Sequence, residues 1–226
     1  MSTNFQDMAV LAALWAAYCG LHSLLATFAV KRLVSRVVPA LAGWYRAAYS
    51  LFALLTLIPL LGLMERLGGE PIWLTPSALK WTLLPLAGLV IAWSLRDYPV
   101  GEFLGLRPAP LEVPGEAGAG GPGVAFVLGV PHRFVRHPWY ASALAVIWVR
   151  DMDQAQLVSA ACWSLYILVG LRLEEARLEA LIGEPYRLYR ERVPALVPSP
   201  WRYLGRREAD RLLRDAAGPV AANQRS

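Results

Sequence analysis

Charged residues and cysteines are both scarce in this chain. Asp, Glu, Lys and Arg together make up 17% of its 226 residues, whereas hydrophobic residues make up 56%. A soluble domain carries about 25% charged residues, so the composition argues against an ordinary soluble protein. The two cysteines, Cys19 and Cys162, lie inside apolar runs. They argue against a disulfide framework and against a zinc site, which needs about four clustered ligands. We predict no metal site.

Lysine is also rare, and the positive charge comes mainly from arginine. The formal net charge is +5, which in a soluble protein would raise nucleic acid as a partner. Here the basic residues cluster between apolar blocks, as the positive-inside rule expects of a membrane protein. We therefore predict the lipid bilayer, and no nucleic acid, as a partner. The N-terminus lacks the basic segment of a cleavable signal, and its apolar run is long enough to span.

Apolar runs predict an all-α fold, a polytopic integral membrane bundle of about five transmembrane helices. The first run, Met8 to Val30, covers roughly 34 Å, enough for the hydrocarbon core of a bilayer. The second, 47–64, contains Pro59, which a membrane helix tolerates. The others are 79–95, 139–149 and 154–173. The fourth is too short to cross alone and gains length from 135–138. We interpret the last two as a helical hairpin.

We predict a single domain over 1–226 with four parts. These are an N-terminal three-helix part (8–95), a cytoplasmic loop (96–138), the hairpin with its following segment (139–198) and a polar tail (199–226). The stretch 172–192 predicts two helical pieces, because Gly183 is a typical C-cap and Pro185 suits a first helical turn. Pro194 and Pro198 end the second piece. The distribution of arginines predicts an N-terminus outside and a cytoplasmic C-terminal helical segment.

The stretch 107–123 is rich in Pro and Gly, which predicts a loop. It is either a plain linker or a flap over a site that admits a ligand.

A cationic cluster precedes the fourth apolar run. It contains Arg133, Arg136 and His137, with Pro138 and Tyr140 following. Pro138 suits the first turn of a helix, which places Arg136 and His137 at a helix N-terminus with free N–H groups and partial positive charge. Such a place favours a carboxylate or a phosphate. Contact with lipid headgroups is the alternative.

Two neighbouring acids, Glu174 and Glu175, follow the fifth apolar run. Like charges disfavour each other, and a helix C-terminus repels anions, so the pair predicts a cationic partner. Candidates are Arg136, Arg172, Arg177 or a ligand; a surface salt bridge is the alternative. S-adenosylmethionine (SAM) would suit both clusters, since its amino-acid part carries a carboxylate and an ammonium group.

The two clusters resemble the C-terminal signature of the isoprenylcysteine carboxyl methyltransferase and phospholipid methyltransferase superfamily. The resemblance covers about 131–198. Its residues are Arg136-His137-Pro138-x-Tyr140, Glu174-Glu175-x-x-Leu178, Gly183, Tyr186, Tyr189 and Val193-Pro194-x-x-x-Pro198. It implies a small membrane methyltransferase that binds SAM as cofactor on its cytosolic side, through 139–198. The implied cofactor-binding residues are Arg133, Arg136, His137, Tyr140, Glu174, Glu175, Tyr186 and Tyr189.

The N-terminal half is similar to bacterial NnrU-like proteins and to membrane methanethiol S-methyltransferases. The similarity rests on His22-Ser23, Lys31-Arg32 and Tyr45-Arg46-x-x-Tyr49-Ser50, and it predicts the bacterial inner membrane as location. A histidine inside a membrane helix is costly unless partnered. We predict either that His22 is a base for a thiol or hydroxyl, or that it makes a packing hydrogen bond to Ser50 or Thr56.

The predicted function is SAM-dependent methyl transfer to a small or lipophilic acceptor. A thiol is slightly preferred over a carboxylate or an amine lipid, and His22 and Arg136 are the candidate catalytic residues. One alternative is an NnrU-like haem-binding or carotenoid-isomerase-type protein, with His22 and His137 as axial ligands. The other is a non-catalytic membrane adaptor.

Overall fold

A computed structural model describes residues 5–94, 101, 106, 108 and 128–217, and every regular element within that part is helical. The Pro- and Gly-rich stretch 107–123 lies outside the described residues, apart from Pro108. The longer helices are α1 (Phe5–Ala26), α2 (Phe28–Val37), α3 (Pro39–Ala42), α4 (Tyr45–Arg66), α5 (Ser77–Ser94), α6 (Pro138–Trp148), α7 (Gln154–Ile182), α8 (Glu184–Arg192) and α9 (Arg206–Ala217). A short 3-10 turn, Pro131–Arg133, precedes α6.

Three helices are long and apolar enough to cross a bilayer, namely α1, α4 and α7. Helix α5 is shorter, with an apolar stretch at Ser77–Trp93, and α6 has 11 residues. The prediction of an all-α membrane bundle is therefore confirmed. By length, three of the five predicted spans qualify within the described part of the chain.

The described residues group into two compact units. One, which we call the N-terminal unit, contains 5–76 and 150–166; the other, the C-terminal unit, contains 77–94, 128–149 and 167–217. The boundary passes through α7, so this one helix contributes to both units.

Contrary to the prediction from the sequence, the first apolar run is not one continuous helix. It is interrupted at Thr27, whose backbone is extended, with φ −67° and ψ 150°. The Thr27 hydroxyl accepts from the Val30 N–H and donates to the Leu24 carbonyl oxygen. Threonine is a favoured N-cap because its oxygen satisfies a free N–H of the new helix. Helix α1 nevertheless keeps 22 residues, about 33 Å, which is enough to span.

The core of the N-terminal unit lies where α1, α4 and the start of α7 meet. Its buried residues are Met8, Leu11, Trp15, Leu60, Met64 and Ala155. The Trp15 indole N–H donates to Ser159 Oγ at 2.7 Å and so joins α1 to α7. Other large apolar side chains of α4 are exposed, among them Leu51, Leu54, Leu55 and Ile58. In a bilayer these side chains face lipid tails, which are as apolar as leucine.

A pair of reciprocal hydrogen bonds starts α7. Asp153 Oδ1 accepts from the Gln156 N–H at 2.9 Å, and Gln156 Oε1 accepts from the Asp153 N–H at 3.2 Å. This is the capping-box arrangement, in which each side chain satisfies the other residue's backbone N–H. Gly68 lies so close that an added Cβ would be 2.8 Å from Asp153 Oδ2. A side chain at position 68 would therefore displace the cap.

The C-terminal unit has a core of its own at α8 and α9. Its buried members are Tyr186, Tyr189, Val193, Leu204, Ala209 and Leu212. Helix α7 ends before Gly183, whose φ of 74° lies in the left-handed region that glycine adopts without strain. The predicted break at Gly183 and the new helix after it are confirmed. The stretch 172–182, predicted as a separate piece, is instead the uninterrupted end of α7, since nothing in it breaks the helix.

Candidate functional site

The predicted cationic cluster lies where α6 begins. His137 is the residue just before α6, and Pro138 occupies its first turn, where a missing N–H costs nothing. Two backbone hydrogen bonds attach this start to the segment after α8. The Arg136 N–H donates to the Pro194 carbonyl at 2.9 Å, and the His137 N–H donates to the Ala195 carbonyl at 3.0 Å. These backbone hydrogen bonds alone fix the start of α6 to the segment after α8.

Arg136 and Glu175 form a buried ion pair across the C-terminal unit. Arg136 Nε lies 2.8 Å from Glu175 Oε1, and Nη2 lies 2.5 Å from the same oxygen. The two side chains are only 8% and 11% exposed. Low exposure raises the cost of the charges but also strengthens their attraction. Each residue therefore depends on the other to remain charged at this position.

The remaining donors of Arg136 fasten the chain after α8. Its Nη1 donates to the Arg190 carbonyl at 2.9 Å and also to the Val193 carbonyl. Nε, Nη1 and Nη2 are all engaged within the protein. The planar guanidinium matches this fixed set of acceptors, which lysine could not do. Arg136 is consequently a clamp that holds Glu175 and the 190–193 backbone in one arrangement.

His137 lies between the two predicted acids. Its Nε2 is 3.1 Å from Glu175 Oε1, and its Nδ1 is 3.7 Å from Glu174 Oε2. The Tyr140 ring stacks on the imidazole with ring centroids 5.4 Å apart. The structure brings Arg136, His137, Glu174 and Glu175 together. Of the candidate partners predicted for the acids, Arg136 pairs with Glu175.

The two acids differ in exposure. The Glu174 side chain is 45% exposed, whereas that of Glu175 is 11% exposed. Arg190 Nε lies 3.9 Å from Glu175 Oε2, and Arg190 Nη1 lies 2.7 Å from Glu179 Oε2. Glu175 therefore lies between Arg136 and Arg190, whereas the Glu174 carboxylate is partly open to solvent.

Arg133, Tyr186 and Tyr189 stand behind the cluster rather than in it. Arg133 Nε donates to the Leu204 carbonyl at 2.9 Å, and the Tyr189 hydroxyl donates to the His132 carbonyl at 2.7 Å. Burial raises the pKa of Tyr186 to about 12, with a further contribution from Glu175. Burial likewise raises the pKa of Tyr189. These residues hold the packing on which the charged cluster rests.

His22 belongs to a second polar group, inside the N-terminal unit. Its Nε2 lies 2.5 Å from the Tyr49 hydroxyl, so α1 and α4 are joined by a short hydrogen bond. Tyr18 stacks beside the imidazole with centroids 5.9 Å apart, and Tyr166 meets it edge-on at 6.4 Å. The predicted partners Ser50 and Thr56 were wrong. The Thr56 hydroxyl is satisfied by its own helix, at the Phe52 carbonyl.

Sequence reasoning missed Tyr49 and Arg190 as partners of the candidate residues. Tyr49 lies in the Tyr45-Arg46-x-x-Tyr49-Ser50 motif, and positions 45 and 49 are four apart and share one face of a helix. That spacing was the available signal, and Tyr45 indeed stacks beside Tyr49. Arg190 carried no signal, because its role depends on how the chain turns after α8.

The chain is similar to curated proteins from several bacteria. It is 32% identical over 206 residues to methanethiol S-methyltransferase 2 of Bradyrhizobium diazoefficiens, covering 89% of this chain and 75% of that one. It belongs to the methanethiol S-methyltransferase family. The family proteins of Crocosphaera subtropica and Mycobacterium tuberculosis are 31% and 30% identical, with 78% and 80% of this chain and 69% and 74% of theirs covered. No family model and no solved structure matches the chain.

Membership of this family agrees with the resemblance of both halves of the sequence to membrane methyltransferases. The match covers 89% of the chain and is therefore long enough to include Arg136, His137, Glu174 and Glu175. The names of these relatives give methanethiol as the methyl acceptor of those proteins, and the helices of this chain fit an integral membrane protein.

Proposed function

We propose that this protein is a SAM-dependent methyltransferase that methylates a small thiol at the membrane. The observation that carries the proposal is the cluster of Arg136, His137, Glu174 and Glu175 in a member of the methanethiol S-methyltransferase family. The thiol is inferred from the names of the relatives. SAM follows from the sequence resemblance and from the chemistry of the cluster.

The donor set fits the amino-acid part of SAM. Glu174 supplies an exposed carboxylate for an ammonium or a ribose hydroxyl, next to His137. The start of α6 supplies the partial positive charge of a helix N-terminus, which favours a carboxylate. Arg136 is already engaged through Nε, Nη1 and Nη2. Its part is therefore to hold Glu175 and the chain after α8, as a positioning residue.

When bound, SAM would supply a methyl group that its sulfonium already activates. The protein then needs to align the acceptor, to exclude water and to remove the thiol proton. Free thiols have a pKa of about 8.5, so a neutral imidazole is a sufficient base at neutral pH. We propose His22 as that base, with Nδ1 accepting the thiol proton while Nε2–H donates to the Tyr49 hydroxyl and fixes the orientation of the ring.

Binding and turnover test the proposal separately. We expect S-adenosylhomocysteine to stabilise the detergent-solubilised protein by about 2.7 kcal/mol at 100 times its dissociation constant. Labelled SAM should then transfer its methyl group to methanethiol, and less well to a prenylated cysteine or to phosphatidylethanolamine. Absence of both stabilisation and transfer would contradict the proposal, and a Soret absorption band in the same sample would support the haem alternative.

We also propose the orientation that the arginines predict, with the N-terminus outside and the C-terminal segment in the cytoplasm of a bacterial inner membrane. Single cysteines at Gly69 and Glu184, in a background without Cys19 and Cys162, test it. Both positions are unpacked or exposed. A membrane-impermeant thiol reagent added to intact cells should label Gly69→Cys and leave Glu184→Cys unlabelled. The reverse pattern would contradict the orientation.

A further inference from the structure

The segment between α8 and α9 exposes large apolar side chains outside the membrane-length helices. Trp201 is 88% exposed, Val197 75% and Tyr203 52%. Phe134, which is 44% exposed, stacks on Tyr203 with ring centroids 6.0 Å apart. We call these four residues the aromatic ridge. Sequence reasoning had assigned 199–226 to a polar tail, so the ridge is a feature that only the structure displays.

The base of the ridge is fixed by hydrogen bonds and by burial. The Leu204 N–H donates to the Arg133 carbonyl at 2.9 Å, and Arg133 Nε donates back to the Leu204 carbonyl at 2.9 Å. Leu204 itself is fully buried in the core of the C-terminal unit. Arg202 Nη2 donates to the Glu191 carbonyl at 2.8 Å. These bonds fix the backbone that carries the ridge.

The chain segment that carries most of the ridge is basic, and the first acidic residue after it is Glu208. Between Val197 and Arg207 the chain carries Arg202, Arg206 and Arg207 and no acidic residue. All three arginines are exposed. An apolar surface beside exposed positive charge matches the boundary between acyl chains and anionic headgroups, where Trp and Tyr rings are enriched. An exposed apolar patch of this kind marks an interaction site.

We propose that the aromatic ridge inserts into the headgroup–acyl boundary of a membrane leaflet that contains anionic phospholipid. The chain has helices of membrane length, so the bilayer around the protein provides this headgroup–acyl boundary. Trp201 and Val197 enter the acyl side, and the three arginines contact lipid phosphates. The ridge thereby anchors the C-terminal unit at the interface, independently of whether the protein transfers methyl groups.

Spin labels on the full chain test the proposal. In a background of Cys19→Ala and Cys162→Ala, one label replaces Trp201 and another replaces Val197, both highly exposed side chains that the fold does not need. A matched control label replaces Asp210, which is exposed on α9. The protein is reconstituted into vesicles of phosphatidylcholine with a minority of phosphatidylglycerol. Collisions of each label with oxygen and with a water-soluble nickel chelate are then measured.

We expect oxygen collisions to exceed nickel collisions at 201 and 197, and the opposite at 210. In vesicles of phosphatidylcholine alone, nickel access at 201 should rise, because the arginines lose their anionic partners. Nickel access at 201 equal to that at 210 would overturn the proposal. Exclusion of both reagents with dipolar broadening would overturn it too, since the ridge would then be covered by a second copy of the chain.

Discussion

The two polar groups of this protein solve the problem of polarity near lipid in different ways. In the N-terminal unit, His22 and Tyr49 share one short hydrogen bond among aromatic rings, and the pair works as neutral side chains. In the C-terminal unit, Arg136, His137 and Glu175 form a buried ionic cluster with backbone carbonyls as further acceptors. Charged side chains therefore occur where several partners surround them. The membrane-length helices α1 and α4 carry a neutral pair instead.

The difference follows from the cost of charge in each place. An ionised side chain within the bilayer core costs several kcal/mol, whereas a neutral hydrogen-bonded pair does not. At the end of a membrane helix, backbone groups from other segments can complete the solvation of a charge. The ionic cluster should thus matter most for stability, and the neutral pair most for the chemical step. The predictions below test that division.

The largest expected loss of stability comes from Glu175→Ala. It leaves the buried Arg136 guanidinium without its carboxylate, and breaking a buried pair from one side costs about 3–5 kcal/mol. Thermal unfolding in detergent measures the change. The matched control is Glu184→Ala, because the Glu184 side chain is 69% exposed and its pair with Arg187 lies on the surface. The control should cost less than about 1 kcal/mol. Equal losses would show that the ionic cluster is not a stability element.

The ionic cluster was largely predictable, and the neutral pair was not. Pro138 marks a helix start, and the adjacent acids demand a cation, so Arg136 with Glu175 could be expected from sequence. The turn at Gly183 and the path of the chain after it determine which atoms pair. They also bring the carbonyls of residues 190 and 193 to Arg136. The partner of His22 depends on how α1 rotates against α4, which hydrophobic patterning does not fix when all faces are apolar.

Helix boundaries show the same limit. The apolar runs located the membrane helices, because composition alone determines what partitions into lipid. The interruption at Thr27 lies inside an apolar run and depends on one hydroxyl that caps α2. Nothing in the run's average hydropathy distinguishes it from a continuous helix.

The second prediction concerns the chemical step. We expect His22→Ala to reduce methyl transfer to a thiol by about 10²–10⁴-fold at neutral pH, the usual contribution of a general base. Tyr49→Phe should reduce it less, since the imidazole remains. The exposed neighbour Ser50→Ala serves as control and should retain full rate. Binding of S-adenosylhomocysteine should be the same in all three variants.

A pH profile separates the role of a base from a structural role. As pH rises through the thiol pKa of about 8.5, the substrate ionises by itself and no longer needs a base. The deficit of His22→Ala should therefore shrink above that pH. A deficit that stays constant from pH 7 to pH 10 would show that His22 supports the structure and does not accept the proton.

The third prediction is an alkaline loss of stability in the C-terminal unit. The pKa of Tyr186 is raised from 10.0 to about 12 by burial, so the folded state holds a proton that the unfolded state releases. The stabilising contribution is complete below pH 10 and is lost as pH rises through 12. Thermal unfolding between pH 9 and pH 12 should show a smaller decline in Tyr186→Phe than in wild type. Tyr203→Phe, at an exposed ring, should decline like wild type; a decline of equal size in all three proteins would count against this assignment.

The smallest effect is expected from Ser159→Ala, which removes the acceptor of the Trp15 indole N–H between α1 and α7. Hydrogen bonds between membrane helices contribute about 0.6 kcal/mol on average and at most about 1.7 kcal/mol. The matched control is Ser164→Ala, in the same helix, whose hydroxyl donates to the Ala160 carbonyl of that helix. Reversible unfolding in bicelles can resolve such differences. We expect Ser159→Ala to lose several kcal/mol less stability than Glu175→Ala and slightly more stability than Ser164→Ala. A loss as large as that of Glu175→Ala would mean that one neutral hydrogen bond stabilises this protein as much as the buried charges, and the contrast between the two units would have to be abandoned.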